Sequence, residues 1–470
     1  MSSSRNIALI DMDCFYAQVE QRLQPHLWGK PVAVAQYSAY KGGGILAVSY
    51  EARKFGVKRG MFGDQAKILC PDLNLCLVPN GEHSDKADLT RYREASGEVF
   101  KVLSGFDSRI IVERASIDEA FLDLTDLVDY IISDEDPYMA SCDSFPSTFV
   151  ADGSDINYEN STTWNFNREE SLKSFLRKAC ELKGMAADLV EQIRKQIKDE
   201  TKFHCSAGIG SNKMIAKLVC SRHKPCQQSI IVDGDISTIF RYTRIDSVRN
   251  LGGKLGRAIM KHFDIETMDE LSKLPLQQIN NAFPSQAKWI YEISHGIDVE
   301  PVRPREKQTS IAVSKNFPGS SSLSTVKDVQ VWLEGLVREL VKRLVEDQIK
   351  NNRTASSLYV GCTTDAPYGK TCHIVSYDVD NIINLSWNII RAYNKSTTID
   401  LWEPSVFHIG MSASRFRNGI SESCKRITEW INKAKNQLFI ESSCSLQILD
   451  TETFQVLKTF SVIHEIVFYV

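Results

Sequence analysis

Ile7-Ala8-Leu9-Ile10 is an unbroken apolar run that stops on an acid, Asp11. A short run with no polar alternation reads as a strand buried on both faces, which places it at the centre of a sheet covered on both sides. Its C-terminal end then carries a carboxylate to the sheet's edge. A second acidic corner, Ser116-Ile117-Asp118-Glu119, lies between the β-forming runs Ile110 to Val112 and Ala120 to Leu124, which predicts a hairpin. Between these features Arg91 to Ser104 has helical apolar spacing. Beyond them come a helix over Ser171 to Lys198 and a strand over Phe203 to Ile209. The order strand, helix, hairpin, helix, strand predicts a split β-α-β core with an excursion over Cys14 to Val78.

At 470 residues the chain has room for two to four domains. In the excursion, Cys14 to Leu23 reads as a helix. Pro31 to Gln36 and Ile45 to Ser49 read as strands around Gly42-Gly43-Gly44, and Glu51 to Phe55 and Asp64 to Leu69 as helices. Asn212 to Ser221 is a helix stopped by Lys224-Pro225. A small helical unit is expected from about Asp235 to Pro304, with the turn Leu251 to Gly256, and a charged linker over Glu300 to Lys307. A second α+β unit follows, its helix carrying Val329, Leu333, Leu336, Leu340 and Leu344 on one stripe and its strands alternating, as in Thr354 to Gly361. The last fifty residues are ambiguous, and Phe454 to Val470 is rich in β-formers.

The net charge of −3 does not advertise nucleic-acid binding. Ile131 to Asn167 holds seven of the acids and no Lys or Arg, so the rest of the chain stands at +4, which permits a phosphate-binding surface. Within that segment Ser133 to Asn167 reads as a long surface loop or insertion. The twelve cysteines form no C-x-x-C pair and read as reduced thiols. No apolar run reaches the length of a membrane span, and the short polar start, Met1 to Asn6, is not a signal peptide.

Taken singly, Asp11 and Asp13 read as a strand and its capped turn, and Asp118-Glu119 as a solvated acidic corner. Together, on neighbouring strands, they bring carboxylates close enough to repel unless a cation intervenes, and two divalent cations could then be bridged. Magnesium suits oxygen donors and substrate phosphates. Tyr50, Arg53 and Lys54, with Lys213, Lys217 and Lys224, are candidates for a triphosphate, though each taken singly reads more readily as surface charge. Gly208-Ile209-Gly210 permits a close backbone approach. The Gly252 to Gly256 turn resembles a helix-hairpin-helix, whose N–H groups meet DNA phosphates without reading sequence.

The strings LIDMDCFYAQVEQ, GKPVAVAQY, KGGGILAVSYEARKFGVKRGM, YREAS, ERASIDEAFLDLT, CSAGIGSNKMIAKLVCSRHKP, LGGKLG and SKNFPG resemble, in order, those of Y-family translesion DNA polymerases over about Asn6 to Phe416. FPSTFVADG is similar to a stretch of the branch that copies ultraviolet photoproducts, and the short N-terminus argues against a branch with an N-terminal extension. The resemblance implies an α+β, multidomain right hand. Its parts are a ferredoxin-like palm (1–13 and 79–238), small fingers (14–78), a helical helix-hairpin-helix thumb (239–304), an α+β little finger (305–418) and a tail of uncertain fold (419–470).

It further implies metal ligation by Asp11, the backbone of Met12, Asp118 and Glu119, with Asp13 outside the ligand set. Nucleotide contacts fall on Cys14, Phe15, Tyr16, Tyr50, Arg53, Arg59 and Lys224, with Tyr16 as the gate against a 2′-OH. Gln36 approaches the template base, and Gly252, Gly253, Lys254 and Gly256 the DNA backbone. The implied cofactor is a pair of Mg2+ ions, with Mn2+ able to substitute. The implied partners are primer-template DNA and dNTPs, for a nuclear monomer with no membrane association. Family departures are Tyr for the commoner Phe at position 16, and Gly60 and Phe62 where Ser and Trp are usual. A ubiquitin-binding zinc finger and a sliding-clamp motif are not visible after Asn418, so the ending is expected to be a truncated or alternative form. The rival readings are a palm-fold nucleotidyl cyclase, which needs no DNA, and a non-catalytic scaffold at stalled forks.

Overall fold

A computed structural model describes residues 5–36, 42–81, 84–134, 145–151, 172, 175, 181–304, 307–317, 319–419, 446–449 and 456–460. They fall into two compact units, one of residues 1–80 and 87–306, the other of 81–86 and 307–470.

The first unit is built on β1 (Ile7–Met12), whose residues are buried except for Asp11. The chain continues through α1 (Phe15–Leu23), β2 (Val32–Gln36), β3 (Ile45–Val48), α2 (Tyr50–Arg53), α3 (Gly63–Leu69) and β4 (Asn74–Val78). A short strand pair, β5 (Asn80–Gly81) and β6 (Ser84–Ala87), leads to α4 (Thr90–Phe106), then β7 (Ile111–Arg114), β8 (Glu119–Asp123) and α5 (Thr125–Asp134). After β9 (Thr148–Val150) come α6 (Glu181–Thr201), β10 (Cys205–Gly210), α7 (Lys213–Cys220) and β11 (Gln228–Ile230).

The main sheet runs β7-β8-β1-β10-β11-β9. Its first four strands pair antiparallel. With α4 and α6 as the two crossings, these strands take the order second, third, first, fourth of a split β-α-β repeat, the ferredoxin-like arrangement that the sequence predicts. β1 is apolar on both faces because both are covered. Ala8, Ile10 and Met12 pack into the core with Val99 and Leu103 of α4 and Val190 and Ile193 of α6. Ile7 and Leu9 meet Phe121 and, from α7, Ala216 and Cys220. Helix α7 lies so close to β10 that a Cβ on Gly208 would sit 2.0 Å from the Ala216 carbonyl oxygen. That is the close approach the glycine pair permits.

Two features of this unit differ from the sequence reading. The segment read as a surface loop over 133–167 contains β9, which pairs parallel with β11 at the sheet edge. Thr148 there is fully buried, as are Phe145 and Ala151. Three residues are too few for a periodic signal, and the polar composition around them hid the strand. The rest of that segment, 135–144 and 152–167, lies outside the described residues. The Cys14 to Val78 excursion is also only partly separate. Sheet β3-β2-β4 has its own small core of Ala33, Ala35, Ile45, Val48 and Ala66. Phe15, Val19, Val32 and Val34 nevertheless belong to the main core.

The helical unit comprises α8 (Ile236–Phe240), α9 (Lys254–Phe263), α10 (Met268–Ser272), α11 (Leu276–Ala282) and α12 (Ala287–Ser294). Ile239, Leu251, Ile259, Leu271 and Ile290 form a core that continues into Ile215 and Val219 of α7. The expected linker begins later than Glu300. Glu300 is ion-paired with Lys213 and Arg249, Val302 is buried, and the Arg303 N–H donates to Glu113 at 2.7 Å.

The second unit contains β12 (Ser310–Asn316), β13 (Leu323–Thr325), α13 (Val326–Asn351), β14 (Arg353–Thr363), β15 (Pro367–His373), α14 (Val379–Ile390), β16 (Leu401–Val406) and β17 (His408–Asn418). Its sheet runs β12-β17-β14-β15. The five stripe residues of α13, Val329 to Leu344, are all buried. In the last segment, β18 (Leu446–Leu449) pairs antiparallel with β19 (Val456–Phe460). No described helix is long and apolar enough to cross a membrane.

Candidate metal and nucleotide site

Strand register sets the site. Asp11 stands directly opposite Glu119 across the β1–β8 pair, a spacing at which side chains interact. The Met12 N–H donates to the Asp118 carbonyl at 2.9 Å, binding the end of β1 to the corner. That corner is a hydroxyl-closed turn. Ser116 Oγ accepts from the N–H groups of Asp118 and Glu119 at 3.2 and 3.0 Å, and donates to Asp118 Oδ1 at 2.5 Å. Behind it the Ile117 carbonyl accepts from Ser96, which in turn accepts from Arg114. The turn therefore fixes two successive carboxylates at a strand start instead of leaving them to solvent.

Each carboxylate has its own partner. Lys224 Nζ is 2.6 Å from Asp11, Lys217 lies 2.7 and 2.8 Å from the two Glu119 oxygens, and Asp118 takes the Ser116 hydroxyl. Among the described residues the acids do not converge as a ready-made metal shell. The donor set still fits hard divalent cations, being all oxygen and drawn from two adjacent strands. Its electrostatics agree. Burial raises the Asp11 carboxyl to about 6; Lys224 opposes the shift, while Glu119 and Asp118 add to it. These acids repel one another across the cleft, and a cation relieves that repulsion.

Asp13 serves a different purpose. It is 2% exposed and accepts from Ser206 Oγ at 2.8 and 3.0 Å, the Cys226 N–H at 2.8 Å and the Tyr50 hydroxyl at 3.3 Å. So many donors stabilise its charge and leave little of it to offer a metal. It ties β1, β10, α2 and the loop after α7 together.

Around the carboxylates lie the predicted nucleotide residues. Cys14 takes a left-handed conformation, φ 38°, to turn β1 sharply into α1, whose first N–H groups form a helix N-terminus. Phe15 is buried, and the Tyr16 ring stacks on Tyr92 at 4.1 Å and 17°. Tyr92 is anchored behind it by its hydroxyl, 2.6 Å from Glu20. Arg53 lies over the Tyr50 ring at 4.4 Å, and its Nε donates to the Val48 carbonyl at 3.1 Å. Burial, then Asp13, pushes the Tyr50 hydroxyl well above its usual range. Gln36 is exposed at the end of β2, its N–H bonded to the Gly44 carbonyl at 3.0 Å.

Arg59 is exposed, in a loop laddered to β3. The Gly60 N–H donates to Ile45 O at 2.9 Å and the Ile45 N–H to Met61 O at 2.8 Å. Gly60 has φ +87°, which glycine adopts freely. Backbone pairing thus holds the Arg59 loop where Gly60 and Phe62 replace the usual residues.

One candidate falls elsewhere. Lys213 is fully buried, with Nζ 2.5 Å from Glu113 and 3.0 Å from Glu300. It is a structural ion pair, not a surface phosphate ligand, and its partners are too distant in sequence to have been read. Gly256 is buried too, and a Cβ there would lie 1.9 Å from the Leu251 carbonyl oxygen. It lets the turn's own backbone close on the first turn of α9, where Gly252, Gly253 and Lys254 are exposed. The pairing of Lys217 with Glu119 and the hydroxyl of Ser116 were missed as parts of the site. The S-x-D-E spacing was the signal for the latter.

Fold and site together define a class: a ferredoxin-like sheet that presents carboxylates at adjoining strand ends beside a cationic rim. The description "impB/mucB/samB family" matches residues 10–221, and "DNApol eta/Rev1, HhH motif" matches residues 243–297. DNA polymerase eta of Drosophila melanogaster is 34% identical over 413 residues, 83% of this chain and 46% of that protein. DNA polymerase eta of Arabidopsis thaliana is 39% identical over 365 residues, 76% of this chain and 52% of that protein. DNA polymerase IV of Xanthomonas axonopodis pv. citri is 27% identical over 354 residues, 74% and 80% of the two chains. Residues 10–221 thus carry the impB/mucB/samB domain of the Y-family of DNA polymerases, and the chain is similar to polymerase eta over most of its length. It spans about half the length of these eta relatives. The cyclase and fork-scaffold readings find no support in these matches.

Proposed function

We propose that the chain is a template-directed DNA polymerase of the translesion type. It would add dNTPs to a primer 3′-OH, use Mg2+, and copy ultraviolet photoproducts. The observation that carries this reading is the register of Asp11 against Glu119, with Asp118 adjoining, on the sheet edge beside Lys224. Residues 1–13 and 79–238 serve as palm, 14–78 as fingers, 239–304 as thumb and 305–418 as little finger.

Asp11, Asp118, Glu119 and the Met12 carbonyl would hold the cations, which would supply acidification of the primer hydroxyl and neutralisation of the phosphates. With cations on those carboxylates, Lys217 and Lys224 would be released from Glu119 and Asp11. Lys224 turns to the triphosphate, joined by Tyr50, Arg53 and the N–H groups at Cys14 to Tyr16, a helix N-terminus suited to anions. The Tyr16 ring, backed by Tyr92, closes the space that a ribose 2′-OH needs. Gln36 and Arg59 meet the nascent pair, and the small Gly43, Gly44 and Gly60 leave room for a distorted template. Gly252, Gly253 and Lys254 take the DNA backbone. The partners are primer-template DNA and dNTPs, the protein acting as a monomer in the nucleus.

Primer extension on matched templates, one undamaged and one with a thymine dimer, tests this. The expected result is Mg2+-dependent copying of both and none with chelator. Arrest at the first thymine of the dimer alone overturns the bypass assignment. Failure on both templates overturns the polymerase assignment.

A further inference from the structure

Lys224 sits in the loop between α7 and β11, and the chain is fastened on both sides of it. On the far side the Cys226 N–H donates to Asp13 Oδ2 at 2.8 Å. On the near side His223 is 3% exposed. Its Nδ1 is 2.9 Å from Ser229 Oγ of β11, and its ring lies flat on Phe149 of β9 at 4.3 Å and 14°.

Strand β9 is itself rigidly seated. Glu191 of α6 accepts from the Ser147 N–H at 2.9 Å, the Ser147 hydroxyl at 2.7 Å and the Thr148 hydroxyl at 2.8 Å. Gln228 donates to Thr148 Oγ1 and to the Ala187 carbonyl, both at 2.8 Å. Arg194 donates to Ser147 Oγ at 2.5 Å and to the Cys205 carbonyl at 3.1 Å. Satisfied buried networks of this kind fix one conformation. The three-residue strand inside an acidic, polar segment is thereby turned into a platform, and the ring stacked on its Phe149, that of His223, adjoins the lysine of the site.

We propose that His223 is a positioning residue for Lys224, holding its ammonium where a triphosphate arrives by way of the β9 platform. The inference deepens the nucleotide-binding role given to Lys224 and rests on it. Pre-placing a long, flexible side chain lowers the ordering cost when the ligand binds. The loss therefore appears in nucleotide affinity, not in the chemical step.

Single-nucleotide incorporation on undamaged primer-template tests the proposal with the full chain and its variants His223→Ala, Ser229→Ala and Lys224→Ala, and with His223→Ala and Ser229→Ala each combined with Lys224→Ala. Loss of one hydrogen bond and one aromatic contact predicts a KM for dNTP raised about tenfold in His223→Ala, with kcat within about twofold of wild type. In the Lys224→Ala background His223→Ala should add no further rise, because its effect passes through the lysine. Where His223→Ala does not fold, Ser229→Ala, which removes the hydrogen-bond partner, should raise KM about threefold, again only when Lys224 is present. A rise of the same size with and without Lys224 overturns the proposal. So does an unchanged KM in His223→Ala when Lys224→Ala alone raises it. An unchanged KM in Lys224→Ala overturns the triphosphate role of Lys224 itself.

Discussion

At the scale of single residues, the site is a set of charges held against burial by specific partners. Lys213 shows the cost of disturbing such a set. Its ammonium is fully buried between Glu113 and Glu300, so Lys213→Ala strips the buried Glu113 carboxylate of its cation, while Glu300 keeps Arg249. That change should remove about 3–5 kcal/mol of stability, read as a fall in the urea midpoint. Tyr16 offers a complementary prediction. Its ring is braced by Tyr92, and Tyr16→Ala should increase ribonucleotide relative to deoxynucleotide incorporation by roughly tenfold or more while leaving the fold intact. Unchanged sugar discrimination in a competition assay would remove Tyr16 from the gate. Legibility at this scale followed sequence distance. Asp11 could be read because it ends an apolar run, and Asp118-Glu119 because they sit between two strands. The ion pair of Lys213 with Glu113 spans 100 positions, and nothing local announces it.

Among elements, α7 carries the most consequence. It packs onto β10 across Gly208, points Lys217 at Glu119 and leads into Lys224. Gly208→Ala places a Cβ against backbone atoms at 2.0 and 2.4 Å. Backbone cannot yield as a side-chain tip can, so α7 must shift. Both thermal stability and dNTP incorporation should fall, and a variant that keeps both would contradict this packing.

The start of α7 is also joined to the end of the helical unit through Glu300, and this link depends on pH. Hydrogen bonds from Arg249 hold the Glu300 carboxyl down to about 2, burial opposing and Lys213 assisting. Its folded pKa is below its unfolded one, so its contribution to stability is complete above the usual carboxylate range. It is lost as pH falls from about 4.3 toward about 2. Glu300→Gln should flatten the acid limb of the stability–pH curve in that window. Helices and long strands were legible by period, as the Val329 to Leu344 stripe shows. β4, α5 and β9 were not. β9 in particular is held by Glu191, Gln228 and Arg194 from other elements, not by any pattern of its own.

In the whole molecule, under the function proposed above, a carboxylate-centred sheet, a helix-hairpin-helix and a second α+β unit serve one reaction on DNA. Family strings made the multidomain plan legible. The composition did not, because the acids of 131–167 mask the basic remainder. Retention on primer-template DNA should be electrostatic and weaken steeply as salt rises. Lys254→Ala at the exposed turn should weaken it uniformly across sequences, since backbone contacts carry no base preference.

Mg2+-dependent primer extension by Asp118→Ala/Glu119→Ala, alongside its retention on the same DNA, decides whether these carboxylates carry the reaction. Extension should be abolished while retention stays close to that of the unaltered chain. Extension at more than a few per cent of the unaltered rate would contradict it.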